Sequence, residues 1–302
     1  MSEELGVNID RLFESVAKKG HVCVGLDTCI DYLPPLEREK AAENPAQAVL
    51  AFNKALIDAT FDVCACFKVQ IAYYEEMGLA GLKAYSETLK YIRSKNCLVI
   101  ADIKRGDIAD TAQRYAKAHF SGEFEADFVT LSPYMGMDSI QPWLAEAKTS
   151  GKGAFVLLRT SNKGMRDFQY LQVSDKKLYN IVGEKMSSLA KENKGKNGYG
   201  QFGVVVGCTE KDEAAEIRKI YPELFFLIPG YGAQGGGAKD VAILLRDKNG
   251  GVVNASRSII TAWKNNDKEL NNVKIDNLFA SNAARCATIN MRDEIFNEVT
   301  GM

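Results

Sequence analysis

The chain has 302 residues, 46% of them apolar and 25% charged, with 38 Lys and Arg against 39 Asp and Glu. That is globular composition with ample material for a large core, and a net charge of −1 removes the electrostatic case for a nucleic acid or an anionic membrane as partner. Seven cysteines with no C-x-x-C spacing and only two histidines, His21 and His119, argue against a disulfide framework, a zinc site and a Ser-His-Asp triad.

The first twenty residues, MSEELGVNIDRLFESVAKKG, are polar and amphipathic. They lack the apolar centre of a signal peptide, and no later run reaches the ~20 apolar residues of a membrane span. A cytoplasmic protein is therefore expected, opening with a helix near 8–19. Short apolar runs follow at similar intervals: 22–27 (VCVGLD), 65–70 (ACFKVQ), 97–104 (CLVIADIK), 127–133 (DFVTLSP), 153–160 (GAFVLLRT), 202–207 (FGVVVG), 224–230 (LFFLIPG) and 251–258 (GVVNASRS). Most are continuous rather than alternating, as expected of parallel strands covered on both faces. Amphipathic helical stretches separate them at 45–60, 77–95, 111–120 and 210–221, the first with Pro45 suitably placed at its start. A last helix is expected near 275–298.

Eight strands alternating with helices is the count of a (β/α)8 TIM barrel. No linker, repeat or shift in composition divides the chain, so residues 1–302 read as one domain with extra N-terminal and C-terminal helices. The longest connection, 161–175 (SNKGMRDFQYLQVSD), follows the fifth strand, and loops of that length are usually functional or disordered.

A barrel builds its active site at the C-terminal ends of its strands. Here five of the eight are charged. The first carries Asp27, the second Lys68, the third Asp102 and Lys104 with Asp107 just beyond. The fifth ends in Arg159, Thr160 and Ser161, and the eighth carries Arg257. Side chains two apart share a face and neighbouring strands lie ~4.8 Å apart, so Lys68, Asp102, Lys104 and Asp107 are expected to form one network of alternating sign, the form in which buried charge is tolerated. Such an array can stabilise a developing carbanion, with Lys104 as proton donor.

The stretch GYGAQG (230–235) formally matches G-x-G-x-x-G, but it follows the seventh strand rather than the first, and the next strand carries Arg257 instead of an acid for a ribose diol. In barrels this is the position of a phosphate grip. Gly230, Gly232, Gly235 and Gly236 would let backbone N–H groups approach an anion, with Gln234 and Arg257 as side-chain donors.

These segments, DIKRGDIADTA together with VGLD, FKVQIAYYE, SPYMGMDS, LLRTSN, PGYGAQGG and NASRSI, resemble over residues 20–260 the longer bacterial-type branch of the orotidine 5′-phosphate decarboxylases. The resemblance implies formation of UMP and CO2 from orotidine 5′-phosphate without metal or organic cofactor. It implies Lys104 as proton donor to C6, Asp102 against the substrate carboxylate, and Lys68 holding the network and contacting the ribose. Asp107 and Thr111 would reach the neighbouring subunit's site, so a homodimer with shared active sites is implied. Asp27 matches a residue bonding a ribose hydroxyl, Ser161 the serine that reads the pyrimidine, and Gln234 and Arg257 the phosphate contacts beside Gly232 and Gly235. Tyr231 stands where a smaller residue is expected, and Ser256 and Ser258 flank Arg257 where glycine is often found. The alternative within the same barrel group is a Mg2+-dependent sugar-phosphate decarboxylase or synthase, which by resemblance has an acidic metal ligand where this chain has Lys68. A Schiff-base aldolase and a non-catalytic binder of phosphorylated ligands are weaker alternatives.

Overall fold

Alternation with period two sorts the strand residues into two apolar cores. The computed structural model describes residues 7–232, 235–265 and 275–301. Its strands are β1 (Val22–Gly25), β2 (Cys66–Gln70), β3 (Leu98–Arg105), β4 (Phe128–Leu131), β5 (Gly153–Arg159), β6 (Gln172–Val173), β7 (Lys176–Lys177), β8 (Phe202–Val206), β9 (Phe226–Ile228) and β10 (Gly251–Ala255). Eight close a parallel barrel in the order β1-β10-β9-β8-β5-β4-β3-β2, while β6 and β7 pair as a separate hairpin. The expected TIM barrel is the observed fold. Inward residues such as Cys23, Cys66, Ile100, Phe128, Phe155, Leu227 and Val252 fill the barrel, and Leu12 and Val16 of the first helix plug its floor. The outward set, Val24, Phe67, Val99, Val129, Val156 and Val204 among them, packs under the helices.

The helices begin where local chemistry directs. Pro45 opens Pro45–Thr60, and the Asn44 side chain accepts the Gln47 amide at 3.1 Å, satisfying one of the donors a helix start leaves free. The last helix, Asn277–Thr300, is capped in the same way by Asp276 through the Phe279 amide at 2.9 Å, and lies against Pro45–Thr60. The first helix spans Asn8–Lys19. Among the described residues no helix is long and apolar enough to cross a membrane.

Three expected boundaries move. The seventh barrel strand stops at Ile228, because Pro229 has no amide for the ladder and Gly230 has φ 104°. The eighth stops at Ala255: Ser256, at φ −109° and ψ −82°, leaves extended geometry, so Arg257 opens a short helix, Arg257–Ile260, instead of lying on a strand. The 161–175 connection carries structure of its own, the helical turn Met165–Phe168 and the β6–β7 hairpin. Gln169 anchors this excursion by accepting the Thr160 amide at 2.9 Å, and the Lys177 ammonium pairs with Glu213 at 2.7 Å.

Candidate active site

Lys68 is in register with Gly25 on one neighbour and Ile100 on the other, so it starts one layer below Asp27 and Asp102. Its four-carbon stem rises between them. The ammonium lies 2.9 Å from Asp27 Oδ1 and 2.9 Å from Asp102 Oδ2. Asp102 Oδ1 takes Lys104 Nζ at 2.6 Å and the Thr130 hydroxyl at 2.8 Å. The result is a line of alternating charge, Asp27, Lys68, Asp102, Lys104, in which Lys68 and Asp102 are almost wholly buried while the Lys104 side chain is 47% exposed. Burial works against ionising Asp102, but the ammonium groups of Lys68 and Lys104 outweigh it and hold the carboxyl well below the usual carboxylate range. Lys68 is the mirror case: burial favours the neutral amine, yet Asp102 and then Asp27 secure its proton more firmly than water would.

The network expected from the sequence contained Asp107, and within one chain Asp27 takes that place. Asp107 Oδ1 accepts the Ile108 amide at 2.8 Å, and among the described residues its side chain makes no other hydrogen bond. It lies beyond the end of β3, which stops at Arg105, and the Lys104 ammonium pairs with Asp102 instead. Thr111 is exposed on the helix Ala109–Phe120.

Lys104 is held in strained backbone. The β3–β4 register slips between Ala101 and Arg105, and Lys104 sits at φ 44°, a left-handed conformation costing an L-residue roughly 1–3 kcal/mol. Thr130 on β4 secures it: its oxygen accepts the amides of Ile103 at 3.0 Å and Lys104 at 2.9 Å while its proton goes to Asp102. A bulge beside an active site commonly re-aims a side chain. Thr130 was missed in the sequence; the available signal was a hydroxyl at an inward position of an otherwise apolar strand.

Two cavities meet above this line. One, of about 360 Å³, is lined by Lys68, Asp102, Lys104, Thr130, Ser161 and Leu157. The other, of about 270 Å³, is lined by Tyr231, Ser256, Arg257 and Ser258. Asp27, Tyr73, Pro229 and Asn254 border both, so the space is a dumbbell with a lysine–aspartate end and an arginine end. Gly230, Gly232 and Gly235 have φ of 104°, 69° and 94°, conformations that suit glycine. The amides of Gly232 and Gly235 are engaged inside the loop, donating to Gly236 O and Gly232 O at 2.9 Å each, so in this arrangement they do not face an anion as expected. Gln234 lies outside the described residues. Tyr231, the bulky departure, donates to Glu294 of the last helix at 2.6 Å and so ties the base of this loop to the barrel exterior. Arg159, expected at the mouth, is instead fully buried and donates to the backbone oxygens of Gly207 and Glu210.

Residues 20–271 match the sequence model of the orotidine 5′-phosphate decarboxylase / HUMPS family. The chain belongs to this family. It is 56% identical over 287 residues to the orotidine 5′-phosphate decarboxylase of Clostridium perfringens, spanning 95% of this chain and 97% of that one. The enzyme of the same name from Clostridium acetobutylicum is also 56% identical, over 288 residues, with 95% and 98% covered. The solved OMP decarboxylase of Leishmania donovani superposes with a TM-score of 0.76 at 31% identity, covering 97% of this chain and 99% of that one. In this member of the decarboxylase family the segment DIKRGD therefore ends the third barrel strand and supplies Asp102 and Lys104 to the dumbbell cavity.

Proposed function

We propose that this chain decarboxylates orotidine 5′-phosphate to UMP and CO2 in pyrimidine biosynthesis, without metal or organic cofactor, the whole chain acting as one barrel domain. The observation that carries the mechanism is the Asp102–Lys104 contact of 2.6 Å at the floor of the cavity, backed by buried Lys68. The arginine end takes the phosphate on Arg257, with Gln234 completing the grip, and Asp27 accepts from a ribose hydroxyl. The pyrimidine then lies over Lys104, with Ser161 reading its ring and Asp102 beside the substrate carboxylate. When the C6–carboxylate bond breaks, CO2 leaves and the electron pair stays at C6 in the plane of the ring. Lys104 meets that charge with a fixed cation and passes its proton to C6, giving UMP; solvent reprotonates the amine. Pre-placed charge in a water-poor site is worth far more than the same charge in water. Phosphate binding, remote from C6, contributes binding energy to closure of the 161–175 loop over the site.

Lys68 supports the metal-free reading against the sugar-phosphate alternative. Its ammonium occupies the position between Asp27 and Asp102 that a divalent cation would need, 2.9 Å from each carboxylate. A second copy of the chain is part of the proposal. Asp107 and Thr111 flank Ile108, which is 45% exposed; a partner covering this residue would receive Asp107 and Thr111 into its own site. A reducing cytoplasm fits seven free thiols.

The test is loss of orotidine 5′-phosphate absorbance in excess EDTA, with wild type and Lys104→Ala. Rapid turnover by wild type, none by the variant, and UMP still bound by both is the expected outcome. An active Lys104→Ala variant refutes the proton-donor role, and activity that appears only with Mg2+ on a sugar phosphate moves the chain to the alternative.

A further inference from the structure

Asp27 has two oxygens, and each is already held by one partner. Oδ1 takes the Lys68 ammonium, and Oδ2 takes the Ser256 hydroxyl at 2.8 Å. The direction of the second bond is set from behind. Asn254 Nδ2 lies 3.5 Å from Ser256 Oγ and donates to it, while Asn254 Oδ1 receives the Cys23 thiol at 3.8 Å. An amide can only donate through its nitrogen, so Ser256 is left to direct its own proton onward to Asp27. Cys23 and Asn254 are register partners on β1 and β10, which places the source of the relay on strands rather than loops. Gly25 makes the room. A Cβ there would lie 1.9 Å from Ser256 Oγ and 3.0 Å from Asn254 Oδ1, so the residue that weakens β1 is the one that admits the hydroxyl.

We propose that Ser256 is a positioning residue that sets selectivity for a ribose diol. A carboxylate offers about four lone-pair sites; Lys68 and Ser256 engage one on each oxygen and leave one on each for ligand. Fixed in this way, Asp27 presents those acceptors to the waist of the dumbbell, where a ribose lies between phosphate and base. Arg257 is the next residue along the chain, so the hydroxyl that aims the ribose acceptor and the guanidinium that takes the phosphate move as one unit. This proposal rests on the decarboxylase reading above, with Asp27 as the ribose acceptor.

The experiment is calorimetric binding of UMP, 2′-deoxy-UMP and 3′-deoxy-UMP to wild type, Ser256→Ala and Asn254→Ala, with melting temperatures alongside. A hydrogen bond to a charged group is worth about tenfold or more in affinity. Wild type is expected to prefer UMP about tenfold over at least one deoxy ligand. In Ser256→Ala that preference should fall toward one while the melting temperature stays close to wild type, and in Asn254→Ala it should fall by less. A preference unchanged in both variants overturns the proposal, even if all three ligands bind more weakly, because the hydroxyl would then serve the phosphate loop alone. A wild type that binds UMP without preferring it to either deoxy ligand removes Asp27 as ribose acceptor and the proposal with it, leaving the decarboxylase reading intact. No UMP binding by wild type brings down that reading itself.

Discussion

Replacing Lys68 by methionine retains most of the stem and removes only the charge. Asp27, 22% exposed at its side chain, can turn to water. Asp102 cannot: its side chain is 9% exposed and keeps only Lys104 and Thr130. Removing one member of a buried ion pair costs about 3–5 kcal/mol, because the survivor remains desolvated and under-compensated. With an unfolding entropy of roughly 2.1 cal/mol/K per residue, a chain of 302 residues has about 0.6 kcal/mol/K at its midpoint, so the melting temperature should fall by about 5–8 °C. The assay is a thermal melt at pH 7 of wild type, Lys68→Met and Lys68→Met/Asp102→Asn. Neutralising both partners removes the stranded charge, and the double variant should recover at least half of the loss. A single variant that melts within about 1 °C of wild type, or a double variant no better than the single, would refute the claim that the network is held by compensation of buried charge.

Three further outcomes are expected. His21 and His119 are both pushed down to about 4, by burial in each case and, for His119, by the nearby Arg105 charge as well. The unfolded chain therefore binds up to two more protons than the fold between pH 6.5 and about 4, and stability, fully present above 6.5, should decline through that window; urea midpoints from pH 7 to 4.5 measure the slope, and His119→Phe, which keeps the ring beside Phe124 and Trp143, should nearly halve it. Asp102 has its own, more acidic window: its folded value lies below the ordinary 3.8, so its contribution is present above about pH 4 and is lost as pH falls further, and Asp102→Asn should flatten only that part of the curve. Arg218 is buried, with its charge disfavoured down to about 9 by that burial, and donates to Leu244 O at 2.7 Å, Leu224 O at 2.6 Å and Gly250 O at 2.7 Å. Arg218→Met leaves the carbonyls of Leu244 and Leu224 unpaired at about 1 kcal/mol or more each, while Gly250 O keeps the Phe226 amide at 2.9 Å, and Arg218→Lys should recover little because one ammonium cannot span the fork; a lysine variant that melts like wild type would contradict that geometry.

Much of the fold was legible because its causes are local. Continuous apolar runs, Pro45 behind Asn44, and charged residues at five of the eight strand ends are effects of near neighbours in the chain, and they led to the barrel, its helices and the Lys68–Asp102–Lys104 cluster. The family likeness added the ligand. What stayed hidden depends on which strands lie side by side once the barrel closes. Lys104 takes a left-handed backbone because β4 places Thr130 under it, and nothing within residues 98–105 announces that bulge. Asp107 stays out of its own chain's network because it lies past the end of β3, where its carboxylate takes the Ile108 amide. The glycine amides are engaged within their loop because that loop folds on itself. The Asp27–Ser256 bond joins residues 229 apart, the two ends of the barrel sequence, and it exists only because β1 and β10 are neighbours. Sequence decided which residue types reach the mouth of the barrel, since propensity and alternation act over a few residues; tertiary structure decided which of them touch, since register and closure are properties of the whole sheet.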